Sequence, residues 1–194
     1  MQKLTLFANL RALIIAIIIV CFSSVNVFSQ ATGKGNPSPL KFPTPKGIAN
    51  QLFYLQRDPN LNTLIYELNV DKAGQVDTDE PVLAYWIRYG EGGERKDMSY
   101  IQRKFAYGIQ SRVISKDHYE LRFVSHKKLP LYLVKSADDK KYHVYVTVNN
   151  TKLLLDRIFV RIEGGSFWVP NVKYVELRGI NQETKAVVTE RITV

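Results

Sequence analysis

Three histidines, His118, His126 and His143, are the first residues to test for metal or acid–base chemistry. A zinc site needs converging ligands, and the chain has no HExxH and no paired-histidine spacing. His118 and His126 flank one expected strand, so at about 3.3 Å per residue they stand roughly 25 Å apart and share no ion. The loop from Asp71 to Glu80 gathers Asp71, Asp77, Asp79 and Glu80 around Gly74. Hard oxygen ligands of that type hold calcium, but the spacing is not that of a twelve-residue EF-hand loop, and an acidic solvated turn accounts for it. Nucleophilic catalysis has no GxSxG elbow to start from. Asp117 and His118 are neighbours whose side chains would leave a strand on opposite faces. These residues therefore name no catalytic group, no metal ligand and no cofactor. Paired carboxylates leave no spacing signature, so an envelope hydrolase working with two acids stays open as an alternative.

The aromatic residues are more informative. Tyr85-Trp86-Ile87-Arg88-Tyr89 is the densest run, and on a strand Trp86 and Arg88 share one face while Leu83, Tyr85, Ile87 and Tyr89 share the other. If the second face is packed, Trp86 and Arg88 point to solvent or to a lumen. A lumen lined by Trp and Arg suits a carboxylate, a sugar or another partly apolar anion. An ordinary strand with amphipathic aromatics at its edges explains the same residues. Gly164-Gly165-Ser166-Phe167-Trp168 reads in the same two ways, as a loop at a cavity mouth or as a turn with an aromatic plug.

Strands must position these groups. From Leu52 onward, short β-rich runs alternate with turn chemistry: Leu52 to Gln56, Asn62 to Asn69, Val82 to Tyr89, Ile109 to Ser115, Tyr119 to Ser125, Leu129 to Lys135, Lys141 to Asn149, Leu154 to Ile162, Val172 to Arg178 and Lys185 to Thr193. Pro59 and Asn60 make the first two runs a hairpin. Tyr142, Val144, Val146 and Val148 alternate with His143, Tyr145 and Thr147, which is the period of a half-buried strand. The gaps are too short to hold crossover helices. The expectation is an all-β domain, an antiparallel barrel or sandwich of about eight to ten strands. One short helix is expected where Met98, Ile101 and Phe105 fall at helical spacing, with Asp97 as its cap and Gly108 at its end. A membrane barrel would need an unbroken apolar face, which Lys173 on one side of its run and Glu176 and Arg178 on the other interrupt.

The N-terminus reads as an address. Lys3 and Arg11 precede an apolar run from Ala12 to Phe22 that is shorter than the roughly 20 residues of a spanning helix, and small residues follow it. Residues 1–29 are expected to be a signal peptide cut after Ser29, with Ala31 as the alternative, and the chain to be exported to the periplasm or beyond. Val20 before Cys21 disfavours lipidation, and beyond the signal no transmembrane segment is expected. Residues 30–50, with Pro37, Pro39, Pro43 and Pro45, form an extended arm, and 51–194 form a single β domain. With Cys21 removed the domain has no thiol, so a hydrophobic core must hold it together.

Removal of the signal leaves 25 basic against 18 acidic residues, a net charge of +7. Between Arg95 and Lys141 there are 12 Lys and Arg against 5 Asp and Glu, so this stretch carries the whole excess. It is either a solvated face or a surface for an acidic protein or a membrane, and in an exported chain nucleic acid is not the partner.

Leu52-Phe53-Tyr54-Leu55-Gln56-Arg57, Asn62-Thr63-Leu64-Ile65-Tyr66-Glu67-Leu68-Asn69, Tyr85-Trp86-Ile87-Arg88-Tyr89, and Ile101-Gln102-Arg103 with Ala106-Tyr107-Gly108 together resemble the exported bacterial proteins of the domain-of-unknown-function family 4833. The resemblance runs from about Leu52 to the C-terminus and implies one exported domain with no assigned activity. Arg57, Trp86, Arg88, Arg103 and Tyr107 lie inside these phrases and are the candidate ligand-binding residues. Trp86 and Tyr107 would stack on the apolar part of a small ligand or envelope component, and the three arginines would pair with its charge. A basic-face interaction protein is the second reading. Neither ligand identity nor oligomeric state can be read from the residues.

Overall fold

The computed structural model describes residues 41–166 and 169–193. The expected export segment, the first part of the arm, and Phe167 with Trp168 lie outside the described residues. Strand β1 (Gln51–Asp58) turns at Asp58-Pro59 into β2 (Asn60–Leu68), with Arg57 opposite Asn60. Phe53 and Leu55 of β1 face inward with Leu64 and Tyr66 of β2 into the main core. Tyr54 and Ile65 face the other way and close a second cluster with Tyr85. Both faces are covered, which is why these strands read as continuous apolar runs rather than as strict alternation.

The chain continues through β3 (Val82–Arg88), a 3-10 turn at Tyr89–Glu91, β4 (Glu94–Asp97), one helical turn at Tyr100–Gln102 and a π turn at Arg103–Tyr107. Then follow β5 (Ile109–Ser115), β6 (His118–Phe123), β7 (Leu131–Lys135), β8 (Tyr142–Val148), β9 (Thr151–Gly165), β10 (Pro170–Asn181) and β11 (Val187–Thr193). All belong to one sheet in the order β4-β3-β2-β1-β9-β8-β7-β6-β5, with β10 on the other edge of β9 and β11 outside β10.

β9 is the hinge of this arrangement. One of its edges is shared, with β8 beside residues 151–154 and β1 beside residues 157–161. Between them sits Asp156, an extra residue against β10, where the register jumps from Arg178 opposite Arg157 to Gly179 opposite Leu155. The bulge resets the pleat, so the inward positions pass from Leu153 and Leu155 to Ile158. A bulge bends a strand and sharpens its twist, and here the two wings of the sheet curl toward each other. Phe123 of β6 meets Phe53 and Tyr66 edge-on across the core at 6.3 and 5.6 Å. The result is a curled half-barrel with β4 and β5 at the two ends of its path.

The expectations need four corrections. The sheet is mixed, because β1 and β9 run parallel. Short gaps exclude parallel pairing only between strands adjacent in sequence; here β2 to β8 themselves supply the crossover. The described residues form eleven strands, β4 having been missed because Glu94-Arg95-Lys96-Asp97 is exposed throughout and has no apolar alternation to reveal it. The helix is one turn, capped by Ser99 and not by Asp97, which ends β4: Gln102 N donates to Ser99 Oγ at 3.3 Å and Ser99 N donates to Gln102 Oε1 at 3.1 Å. Met98 is buried, but Ile101 and Phe105 are exposed, so the helical spacing did not mark a core face.

Residues 41–50 contain neither helix nor strand and lie on the outer face of the sheet. The ring of Phe42 meets Phe159 edge-on at 5.2 Å, Gln56 Nε2 donates to the Pro43 carbonyl at 2.7 Å, and Ile48 packs on the second cluster.

Candidate functional site

Arg57 continues the inward face of β1 after Phe53 and Leu55, so the pleat delivers a guanidinium to the end of the core. Trp86, on the inward face of β3, lies 5.3 Å from the Arg57 guanidinium carbon by its ring centroid. Tyr107, the last residue of the π turn, lies 5.5 Å from the same carbon and meets Trp86 edge-on at 5.3 Å. Arg57 Nη1 donates to the Tyr107 hydroxyl. Its Nε is buried and has no acceptor among the described residues. Among the described residues no carboxylate lies within ion-pair distance of this guanidinium.

Two further residues hold the arrangement. Tyr66 donates its hydroxyl to the Tyr107 carbonyl at 2.9 Å, and Trp86 Nε1 donates to Gln102 Oε1 at 3.3 Å. The same Gln102 oxygen closes the capping box with Ser99, so one side chain ties the helical turn to the tryptophan. Burial pushes the Tyr107 phenol above its ordinary value, with Arg57 opposing, and burial pushes Tyr66 far above it. Both phenols are neutral at physiological pH and give Arg57 no counter-charge. Its positive charge is met by two aromatic rings and one hydroxyl, and by no carboxylate among the described residues.

Arg57, Trp86 and Tyr107 thus converge, whereas Arg88 and Arg103 stand elsewhere. Arg88 pairs with Glu91 and Arg103 with Glu80 at 2.6 Å, both in exposed positions. The reading of Trp86 as lumen-facing needs correction: it is 6% exposed and belongs to the packed core, while Tyr85 on the opposite face is also buried. Tyr66 and Gln102 were missed. Tyr66 carried a usable signal, since it sits on the inward parity of β2; Gln102 carried none beyond its place three residues after Ser99.

Two surface cavities of about 350 Å³ each lie away from these residues. The first, beside Gly74 to Thr78 and β5 to β8, has Asp117 as its one carboxylate; the second, at the β9 bulge, has Asp156. Neither brings two acids together. In the acidic loop, Asp71 Oδ1 accepts from the backbone N–H of Ala73 and Gln75 at 2.8 Å, and Asp77 Oδ1 from Asp79 and Glu80 at 2.9 and 3.0 Å. Those carboxylates shape turns. No group of three or more potential metal ligands occurs among the described residues.

A family model described as a domain of unknown function (DUF4833) matches residues 53–191. No curated protein and no solved structure matches the chain.

Proposed function

Since the chain belongs to the DUF4833 family of domains of unknown function, which brings no activity with it, we propose its role from the Arg57 end of the core: it is an exported, non-catalytic domain that binds a small anion carrying an apolar body. The observation that carries this reading is the buried Nε of Arg57 without an acceptor, on a guanidinium with no carboxylate near it. A buried polar group left unpaired costs roughly 1 to 3 kcal/mol, more when charged, and a carboxylate or phosphate approaching the Nε edge recovers that cost with two parallel hydrogen bonds. Half-buried Tyr107 supplies apolar surface for the ligand body, and the buried Trp86 ring backs the guanidinium. Arg88 and Arg103, taken up by Glu91 and Glu80, are given no contact with the ligand in this reading. Export is supported by the basic, apolar and small-residue order of residues 1–29.

The test is a fluorescence titration with 2-naphthoate, laurate and inorganic phosphate in a Trp168→Phe background, which leaves Trp86 as the one tryptophan of the chain. We expect saturable quenching by one of the two apolar carboxylates, weaker response to phosphate, and at least a tenfold loss of affinity on Arg57→Met. Equal affinity in the Arg57→Met chain, or no saturable response to any of the three probes, overturns the reading. N-terminal sequencing of the protein recovered from the cell envelope should begin at Gln30; recovery of the intact chain in the cytoplasm contradicts export.

A further inference from the structure

Two loops meet at the end of the half-barrel that carries the π turn. Ser125 Oγ donates to the Ala106 carbonyl at 2.5 Å, and Val124 N donates to the Gly108 carbonyl at 3.0 Å, so residues 124–128 are fastened beside residues 100–108. The helical and π turns have a packed side, with Tyr107 against the core, and a bare side. On the bare side Tyr100 is 71%, Ile101 44% and Phe105 59% exposed. Three large apolar side chains within six residues form a cluster that water alone does not account for.

The two loops themselves carry charge of one sign, and the carboxylate Glu80 that reaches them from outside is taken up by Arg103 at 2.6 Å. From Met98 to Lys116 and again from Leu121 to Ala137 the chain contains no Asp or Glu. Exposed Lys104, Lys127 and Lys128 have no ion-pair partner among the described residues. Lys104 Nζ lies 5.3 Å from the Tyr100 ring centroid and 5.5 Å from that of Phe105, and donates to the Tyr100 hydroxyl at 3.0 Å. An exposed lysine laid beside two aromatic rings suits the level where lipid headgroups meet acyl chains.

We infer that this end of the domain docks on an anionic lipid surface, with Tyr100, Ile101 and Phe105 entering the interface and Lys104, Lys127 and Lys128 contacting headgroup phosphates. The patch is far too small to span a bilayer, and no described helix is long and apolar enough to do so; it rests on the membrane in the manner of an interfacial anchor. The broad basic stretch from Arg95 to Lys141 is thereby narrowed to two loops. Elsewhere in that stretch, Arg112 and Arg122 are held by Glu120. This inference is independent of ligand binding at Arg57.

The experiment is vesicle sedimentation with the chain from Gln30 onward, so that the apolar N-terminal run contributes nothing; both core clusters are built from residues between Ile48 and Ile192. Vesicles are phosphatidylcholine alone, or with about a third phosphatidylglycerol. Binding is expected on the anionic vesicles only. Tyr100→Ser with Phe105→Ser should lower the partition coefficient at least tenfold, and Lys104→Gln, Lys127→Gln and Lys128→Gln together by a similar or larger factor, since each interfacial lysine is worth roughly a fivefold change. Melting curves should be unchanged in both variants, because every altered side chain is exposed. Arg57→Met should sediment like the parent, which separates this inference from ligand binding. Undiminished binding after the aromatic substitutions overturns it in favour of charge alone. Failure to bind any vesicle, with retention on an immobilised acidic protein, overturns it in favour of a protein partner.

Discussion

Arg57 and Tyr107, fifty positions apart in the chain, hold each other by two contacts at once: Arg57 Nη1 donates to the Tyr107 hydroxyl, and its guanidinium carbon stands 5.5 Å from the centroid of the same ring. The pair joins the end of β1 to the π turn and sets a half-buried cation beside Trp86, its Nε without an acceptor among the described residues. The consequences for stability and binding differ, so they can be separated.

Arg57→Met should leave the melting temperature unchanged or raise it by a few degrees, because it removes a partly buried charge that has no carboxylate partner while keeping most of the side-chain volume. Arg57→Lys should lower it, since a compact, strongly hydrated ammonium suits the place between the Trp86 and Tyr107 rings less well than a guanidinium. Thermal melts of the two variants check this. A large loss on Arg57→Met would show that the guanidinium is a structural bolt and not a binding group.

Tyr107→Phe keeps the ring and removes the acceptor of Nη1. The expected cost is about 1 kcal/mol, which is a fall of about 2–4 °C in Tm for a chain of this size. The Trp86 emission should be nearly unchanged, as the edge-on ring contact remains.

Gly108→Ala should be far more damaging. The glycine has φ −62, so it is not a left-handed cap; its Cβ would stand 1.9 Å from the Arg103 carbonyl oxygen. The π turn must open to admit a methyl group. We expect a loss of about 2 kcal/mol or more, read by denaturant titration, together with a red shift of Trp86 emission as Tyr107 leaves it.

Glu120, buried between Arg112 and Arg122, has its carboxyl held below the usual carboxylate range by hydrogen bonds from Arg112 first and Arg122 second. A folded value below the unfolded one stabilises the protein above the ordinary carboxylate range, and that contribution disappears as pH falls through the lowered value. Glu120→Gln should therefore melt below the parent at pH 7, and the gap should close as the pH falls below the ordinary carboxylate range. A gap that is independent of pH would contradict the assignment.

Much of the strand pattern was legible. β5 coincides with the expected run, and β6, β7, β8 and β11 lie within a residue or two of theirs; in β8 the reason is that Val144, Val146 and Val148 form one buried face and period two is written in the residue order. β4 was illegible because all four of its residues face solvent. The parallel pairing of β1 with β9 was illegible because pairing between distant strands leaves no local trace. The helical turn was misjudged at Ile101 and Phe105, whose spacing fits a buried face that the fold does not bury.

Among the candidate site residues, the presence of Arg57, Trp86 and Tyr107 in distinctive phrases could be read from the chain, but their meeting could not. Residue order fixes which side chains share a face of one strand, and so it settled the all-β class and the basic character of the Arg95 to Lys141 stretch, but not which face of β3 turns inward, where Trp86 and not Tyr85 joins the main core. Which faces oppose one another depends on where β9 bends, at a single extra residue, Asp156, and on which strand takes up its edge on either side. That choice is made by the packing of the whole core. It brought Arg57 to Tyr107, left Arg88 and Arg103 to exposed partners, and put Tyr100, Ile101 and Phe105 on the outside.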